Sequence, residues 1–409
     1  MSKSIQVGSF QWMKSLNKST ILNVIRLHGP ISRAEIAKLT KLTPPTVTNI
    51  VGELLESKLV VESDLGESTG GRKPIMLRIN SSAFYVVGVY AGAKKVRAVT
   101  ATLEGKIIRQ AEAKVPFSPT VEEFLQILKE NVHTVIKETG TYKGCFLGIG
   151  IGMHGLVDPE KGVSIYAPNL YLRNIPVKDA LEKEFNLPVE IENDVRALAL
   201  AESWFGQGQG IGNFISVNIG TGIGAGIIMD HQLYHGTSFT AGEIGHTTID
   251  VNGPKCSCGN FGCLEALAAG PAIARRAQQA IRLGKRSILE QEVNGNIEEI
   301  TSEMIYLAAE RGDPLAIEVL AETGRYLGIG IANLINTLNP SLIILSGGVS
   351  RAEKFVLESL KQTVEARALT TPAKAVSIVI SQLGPNAIAI GGFTLLLHKL
   401  FTPTGVSEV

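Results

Sequence analysis

Three of the four cysteines in this 409-residue sequence lie within eight positions, at Cys256, Cys258 and Cys263, and His246 precedes the first of them by ten residues. Thiolates and imidazoles are preferred ligands of Zn²⁺, and three Cys with one His complete a tetrahedral set. Because such a set leaves no position for water, the spacing predicts a structural zinc site rather than a catalytic one; the alternative is three incidental thiols. Cys145 stands apart and is expected to be a small buried apolar residue.

Glycine-rich turns are a second feature with chemical potential, since such turns let the backbone approach a phosphate group. A strand–turn–strand phrase at 85–103 returns at 214–229, and a Gly347-Gly348 pair follows the apolar stretch 342–346. Glycine also serves ordinary tight hairpins, so these turns alone do not establish a nucleotide site. The weak internal repeat predicts an α/β protein with two lobes that face a cleft, as in the actin-like sugar kinase fold.

Composition limits the class of protein that carries these motifs. Hydrophobic residues make up 44% and charged residues 19%, which is typical of a globular protein and argues against a disordered regulator. At roughly 150 residues per domain the length predicts two or three domains. The sequence shows neither a long apolar stretch nor a secretory leader, so we expect a cytoplasmic protein without a membrane partner.

Charge is distributed unevenly along the chain. Residues 1–80 carry 11 Lys and Arg against 6 Asp and Glu, which leaves 28 basic and 32 acidic residues for the remainder. A basic segment at the front of a nearly neutral chain predicts a polyanionic partner for that segment.

Three helices are predicted in the basic segment. The first is expected to begin with Asn17 as its N-cap and to end at Leu27, before a Gly-Pro pair. Ser32 and Glu35 form a capping box for a second, short helix. Thr43 is the predicted N-cap of a third helix, whose apolar residues recur at the spacing of one helical face.

The other face of the third helix, with the hairpin predicted after it, is typical of a winged helix-turn-helix. Small and hydrogen-bonding side chains on a helix fit the major groove of DNA. The predicted strands 59–62 and 74–79 flank a basic turn, and an Arg at such a tip fits an A/T-rich minor groove. The alternative is a small docking module with solvated charges. The predicted DNA-binding residues are Arg33, Pro45, Thr46, Thr48, Asn49, Arg72 and Lys73.

In its motifs the chain resembles the ROK family of repressors and sugar kinases over nearly its whole length. The resemblance implies an N-terminal winged helix-turn-helix at 1–80, followed by a two-lobed actin-like ATPase/sugar kinase (ROK) fold. It implies a small lobe at 81–193 with a C-terminal helix at about 386–402, and a large lobe at 194–385. The motifs are Cys-x-Cys-Gly-x-x-Gly-Cys-x-Glu at 256–265, Gly-Glu-Ile-Gly-His at 242–246, Glu192-Asn193-Asp194, and Gly148-Ile-Gly-Ile-Gly-x-x-Gly155.

The same resemblance implies a sugar pocket rich in carboxylates, amides and one imidazole, groups that orient hydroxyls through strong hydrogen bonds. It implies that His246 gives one ring nitrogen to zinc and the other to the sugar. Asp194 matches the general base of the family's kinases; the alternative is that it only caps the helix predicted at 195–204. The implied sugar-binding residues are Asn169, Asn193, Asp194, Glu243, His246 and Glu265.

The first glycine-rich turn departs from the family's kinases, which carry an acidic residue followed by x-Gly-Gly-Thr. Here Tyr90 replaces the acid, Ala93 a glycine and Lys94 the threonine, so much of the apparatus that neutralises phosphate charge is missing. The second turn, Gly220-Thr221-Gly222, is intact. We therefore predict a protein that is not an enzyme: a repressor of carbohydrate utilisation genes, such as those for xylose, that leaves its operator when sugar binds.

Two other functions stay open at this point, an ATP-dependent sugar kinase with an appended DNA-binding domain and a zinc-stabilised interaction protein. Activation in place of repression is a further alternative. The expected partners are a palindromic, A/T-rich operator, a sugar effector, and a second copy or three further copies of the chain, since paired domains grip two half-sites. Some relatives answer instead to a protein of the phosphotransferase system. The expected cofactor is structural zinc.

Overall fold

The structure, a computed structural model, describes residues 10–65, 73–140 and 146–402. The chain divides into two compact units, one formed by the residues up to Ala197 together with those from Ile388 onward, the other by Leu198–Ala387. Two residues singled out above, Arg72 and Cys145, lie outside the described part. No helix within that part combines the length and apolar character needed to cross a lipid bilayer.

The first unit begins with three helices and a small antiparallel sheet of order β1-β3-β2. The predicted capping box is present, because the Ser32 hydroxyl accepts from the Glu35 N–H at 3.3 Å while the Glu35 carboxylate accepts from the Ser32 N–H at 3.0 Å. The predicted cap at Asn17 is wrong, since the first helix begins a full two turns earlier. The elements are α1 Phe10–His28, β1 Ile31–Ser32, α2 Arg33–Thr40, α3 Pro44–Glu56, β2 Val60–Leu65 and β3 Ile75–Ile79.

The rest of the first unit is built on a five-stranded sheet of order β11-β7-β4-β5-β6. Strands β11, β7 and β4 run parallel, and β4, β5 and β6 form an antiparallel meander. The elements are β4 Tyr85–Ala91, β5 Lys95–Thr102, β6 Ile107–Lys114, α4 Val121–Thr139, β7 Phe146–Met153, β8 Leu156–Asp158, β9 Val163–Ala167, β10 Leu172–Ile175, α5 Val177–Phe185 and β11 Val189–Asn193. Helix α6, Asp194–Phe205, begins in the first unit and continues into the second.

The second unit repeats that arrangement in a sheet of order β16-β15-β12-β13-β14. Again three strands are parallel and three form an antiparallel meander, so the repeat read from the sequence is a repeat of topology. The elements are β12 Phe214–Ile219, β13 Ile223–Met229, β14 Gln232–Leu233, α7 Leu264–Ala268, α8 Gly270–Arg282, α9 Ile288–Glu292, α10 Ser302–Glu310, α11 Pro314–Leu338, β15 Leu342–Ser346, α12 Glu353–Arg367, α13 Thr370–Ala375 and β16 Ser377–Ile380.

A last helix, α14 at Ala387–Phe401, returns to the first unit and packs on its five-stranded sheet through backbone contacts. A Cβ placed on Gly150 would lie 1.8 Å from the carbonyl oxygen of Gly392, and one on Gly88 would lie 2.0 Å from that of Ala389. Only glycine therefore permits this approach of helix to strand.

The far end of α14 contacts the first helix of the winged domain. Phe401 is fully buried, and the Arg26 guanidinium lies 5.6 Å from the centre of its ring. Burial lowers the pKa of Arg26 to about 10, and burial together with the Arg26 charge lowers the pKa of His398. The helix thus joins the central sheet of the first unit to α1.

Candidate functional site

The predicted metal ligands His246, Cys256, Cys258 and Cys263 form one cluster in the second unit. One donor atom from each residue lies within 4.8 Å of the others. The Sγ atoms of Cys258 and Cys263 are 3.8 Å apart, and Nδ1 of His246 is 3.6 Å from Sγ of Cys256. Nδ1 is therefore the ring nitrogen that faces the thiols.

These distances fit a tetrahedral zinc ion. With Zn–S bonds of about 2.3 Å and Zn–N bonds of about 2.0 Å, the edges of the tetrahedron are about 3.8 Å between sulfurs and about 3.6 Å between nitrogen and sulfur. When no cation is present, burial and the neighbouring thiols raise the pKa of Cys263 to about 12. Binding a cation would displace that proton.

The loop that carries the cysteines depends on glycine at its closest approach. Gly262 has φ 64°, and a Cβ there would lie 1.5 Å from the carbonyl oxygen of Asp250. The Cys256 N–H donates to the Asn260 carbonyl at 2.7 Å and closes the turn between the first two cysteines and the third. Local backbone bonds therefore bring together ligands that are up to 17 residues apart in sequence, from His246 to Cys263.

Glu265 connects the cysteine loop with the second glycine-rich turn. Its carboxylate accepts from the Ile223 N–H at 3.1 Å, directly after Gly220-Thr221-Gly222, and from the Ser257 hydroxyl at 3.4 Å. Glu243 lies at the start of the 3₁₀ helix at 244–246, and its side chain is exposed. The three candidate sugar ligands of the second unit, Glu243, His246 and Glu265, are thus held by the metal loop and its neighbours.

In the first unit, Asn193 organises the end of β11. Its side-chain amide donates to the Gly155 carbonyl at 2.9 Å, while its side-chain oxygen accepts from the N–H groups of Val195 and Arg196 at 3.0 and 3.1 Å. The Asp194 carboxylate also accepts from the Val195 N–H, at 3.0 Å. Asn193 is therefore the principal cap of α6, and Asp194 shares only one of its donors.

Asp194 itself is buried, with 7% of its surface exposed. Burial raises the pKa of this carboxyl, and the charge of His154 is the largest effect in the opposite direction. Nε2 of His154 lies 3.1 Å from the amide nitrogen of Asn169. His154 was not predicted as a site residue, although it lies inside the motif that ends at Gly155.

A buried ion pair adjoins Asn193 and Asp194. Nε of Arg196 lies 2.7 Å from the Glu192 carboxylate, and each residue is only 2% exposed. The same carboxylate accepts from the Asn193 N–H at 2.7 Å. The pair was not predicted, because no local pattern distinguishes it from an ordinary surface pair four residues apart.

The first glycine-rich turn is covered by its own tyrosine. A Cβ on Gly92 would lie 2.4 Å from Cζ of Tyr90 and 2.5 Å from its hydroxyl oxygen, so the phenol ring lies directly over the turn. Burial, and then the negative charge of Asp194, raises the pKa of Tyr90 well above its ordinary value. The second turn differs, because nothing lies within 4 Å of a Cβ on Gly220, while one on Gly222 would lie 2.7 Å from Oε2 of Glu265.

The predicted DNA-binding residues of α3 lie on its outer face. Pro45, Thr48 and Asn49 are exposed and Thr46 is half-buried, while the opposite face packs into the core. The Thr43 hydroxyl does not cap the helix but lies 2.9 Å from that of Thr46.

The basic residues flanking this helix differ in their partners. Arg33 forms an ion pair with Glu62 of β2 at 3.0 Å, so its guanidinium already has a partner within the domain. Lys73, at the start of β3, is exposed. Arg72, the other residue predicted at the turn, is outside the described part of the chain.

Comparison with known proteins places both parts of the chain. A model of the ROK family matches residues 86–399, and a model of the MarR family matches residues 15–67. The chain is 32% identical to a xylose repressor of Caldicellulosiruptor bescii, over 97% of this chain and 99% of that protein. It is 33% identical to the DNA-binding transcriptional dual regulator NagC of Escherichia coli strain K12, over 97% of this chain and 95% of that protein.

Solved structures show the same relation. A ROK family transcriptional regulator, homolog of the E. coli MLC protein, superposes with a TM-score of 0.85 and 30% identity over 96% of this chain and 98% of its own. A ROK family glucokinase from Streptomyces griseus, in complex with glucose and AMPPNP, gives a TM-score of 0.68 and 32% identity over 76% of this chain and 98% of its own. The predicted fold, a winged helix-turn-helix before an actin-like sugar kinase fold, is confirmed.

Proposed function

Since this chain belongs to the ROK family and carries a MarR-type helix-turn-helix, we propose that it is a transcriptional repressor of carbohydrate utilisation genes that a sugar releases from operator DNA. One observation carries the proposal: a domain whose helix α3 has an exposed polar face precedes a sugar-kinase fold whose first glycine turn is covered by Tyr90. The xylose and N-acetylglucosamine repressors among its relatives support this class of gene. The protein would act in the cytoplasm.

The sugar-binding candidates in this proposal are the six residues implied by the resemblance. In the first unit, Asn193 and Asp194 are already fixed by bonds to Gly155 and to α6, so little side-chain entropy is lost on binding a hydroxyl. Nδ1 of His246 faces the cysteine cluster, which leaves Nε2 for a ligand. Zinc bound to the cluster would fix that ring in place and add stability to the loop.

A sugar kinase is the second candidate function, and the intact second glycine turn and the likeness to the glucokinase favour it. Against it stands the first turn. The Tyr90 ring lies over Gly92, where a phosphate-binding turn needs an open backbone. Position 90 also lacks the carboxylate that would hold Mg²⁺. We therefore place the chain among the family's regulators and not its enzymes.

Release from DNA requires that the sugar change the winged domain. In this proposal sugar binding shifts a two-state equilibrium, and a coupling of about 1–3 kcal/mol changes operator affinity by roughly 5- to 150-fold. Helix α14 offers a physical connection within the first unit, since it contacts β4 and β7 and also contacts α1. Strand β7 leads directly to His154. A dimer would place two winged domains on the half-sites of a palindromic operator.

The test is a gel-shift titration of the purified protein on the DNA upstream of its own gene, with xylose, glucose and N-acetylglucosamine. We expect retention that weakens steeply with salt and release by one sugar. Glu243→Ala should retain the DNA yet lose the release, while Glu299→Ala, on an exposed residue of the same unit, should behave as the parent protein. Equal response to every sugar, or brisk ATP-dependent phosphorylation of a monosaccharide without DNA retention, would refute the proposal.

A further inference from the structure

Two aromatic side chains of the first unit contact each other while both face solvent. Phe117 is 87% exposed and Tyr171 is 66% exposed. Their ring centres are 6.0 Å apart at an interplanar angle of 69°, an edge-to-face pair. Single exposed apolar residues are ordinary, whereas two exposed rings in contact present a continuous aromatic surface on which a flat apolar face can pack.

The backbone is in an unfavourable conformation at Tyr171 and at the residue that follows Phe117. Tyr171 ends the 3₁₀ helix Pro168–Leu170 with φ 57°, in the left-handed region that a bulky side chain rarely adopts. Ser118, next to Phe117, has φ 51°. Such strain persists where the surrounding structure enforces it and is concentrated at binding sites. Here Leu170 is buried in the first unit, while the Tyr171 ring stays exposed to solvent.

The aromatic pair is close in sequence to Asn169, one of the implied sugar-binding residues. Asn169 is two residues before Tyr171, in the same turn, and its amide lies 3.1 Å from Nε2 of His154, whose charge acts on Asp194. A ligand held by Asn169 that extends towards Tyr171 therefore meets hydrogen-bonding groups first and then two aromatic rings.

We propose that Phe117 and Tyr171 form a second carbohydrate subsite, so that the effector contains at least two sugar rings. This inference rests on the proposed function, since the first ring occupies the proposed sugar site. The C–H face of a pyranose packs on an aromatic ring, and the Tyr171 hydroxyl can bond a sugar hydroxyl. We expect the effector to be a neutral oligosaccharide or glycoside, because Arg173, the basic residue that follows the turn, is stacked on Tyr166 at 4.1 Å.

The test is calorimetric titration of the full chain with three pairs of sugars: xylose and xylobiose, glucose and cellobiose, N-acetylglucosamine and chitobiose. In one pair we expect the disaccharide to bind about tenfold more tightly than its monosaccharide, which corresponds to about 1.4 kcal/mol. Phe117→Ala and Tyr171→Asn should each remove most of that advantage and leave the monosaccharide Kd within about twofold. Asn tolerates the left-handed conformation, so this variant loses the ring without losing the turn.

Tyr171→Phe is the matched control and should keep most of the advantage, because the ring remains. Three outcomes would overturn the subsite: a disaccharide that binds no more tightly, variants that weaken both members of a pair equally, or a partner protein whose binding alone depends on the two rings. If a monosaccharide binds without any gain for its disaccharide, the proposed function stands and the subsite fails. If none of the six sugars binds, the sugar-responsive function and the subsite fail together.

Discussion

The contact between α14 and β7 yields a prediction whose size follows from the structure. In Gly150→Ala the new Cβ would lie 1.8 Å from the Gly392 carbonyl oxygen, whereas ordinary contact begins at 3.4 Å, so the two backbones must separate by about 1.6 Å. The obstructing atoms, the Gly392 carbonyl and the Phe393 nitrogen, belong to the main chain and cannot rotate away. We expect the upper end of the cost of overpacking, about 3 kcal/mol.

For a unit of this size, a loss of about 3 kcal/mol lowers the Tm by roughly 6–12 °C. Scanning calorimetry would measure the change. Gly52→Ala is the control, because nothing lies within 4 Å of its Cβ and Ala favours a helix over Gly by about 1 kcal/mol. Gly392→Ala makes the reciprocal clash, 2.5 Å from the Gly150 carbonyl oxygen, and its cost should not add fully to the first. Equal Tm values for Gly150→Ala and Gly52→Ala would show that the helix does not pack on this strand as described.

Three further predictions concern the sites. Cys256→Ser and removal of metal by a chelator should each lower the Tm, and elemental analysis should find one zinc per chain of the parent protein. Zinc-free protein with an unchanged Tm would contradict the metal site. Because burial raises the folded-state pKa of Asp194, stability falls as pH rises from the unfolded value of 3.8 through the folded one, so Asp194→Asn should be more stable than the parent at pH 7 and equal to it below about pH 3; an identical pH profile for the two would exclude this ionisation cost. Asn49→Ala should weaken operator binding by about 1–3 kcal/mol and leave non-specific binding unchanged, whereas loss of both alike would assign Asn49 to phosphate contact.

Much of this structure could be predicted from local patterns in the sequence. The capping box of Ser32 and Glu35 depends on residues three apart, and the metal cluster on a short loop, so spacing sufficed to predict them. The repeat of strand and turn likewise predicted two sheets of one topology. In contrast, the start of α1 was misplaced at Asn17, because a residue that favours the cap position can also occur inside a helix.

The candidate site was predicted less completely because its contacts are long-range. His154 reaches Asn169 across 15 residues, and only the folded chain shows that its charge acts on Asp194. The sequence showed that Tyr90 lacks a carboxylate but not that its ring lies over Gly92, which is a matter of rotamer and burial. Arg196 could not be recognised as buried, since its place in a helix is compatible with either a solvated or an enclosed side chain.

The return of α14 to the first sheet has a consequence for synthesis of the protein. The strands of that sheet leave the ribosome early, but the helix that covers them follows only after the 190 residues from Leu198 to Ala387. At about 5–20 residues per second, the exposed face waits roughly 10–40 s for its cover. A nascent chain therefore completes its first unit after its second. A product truncated before Ala387 lacks α14, so its winged domain has no helix that connects α1 with the five-stranded sheet.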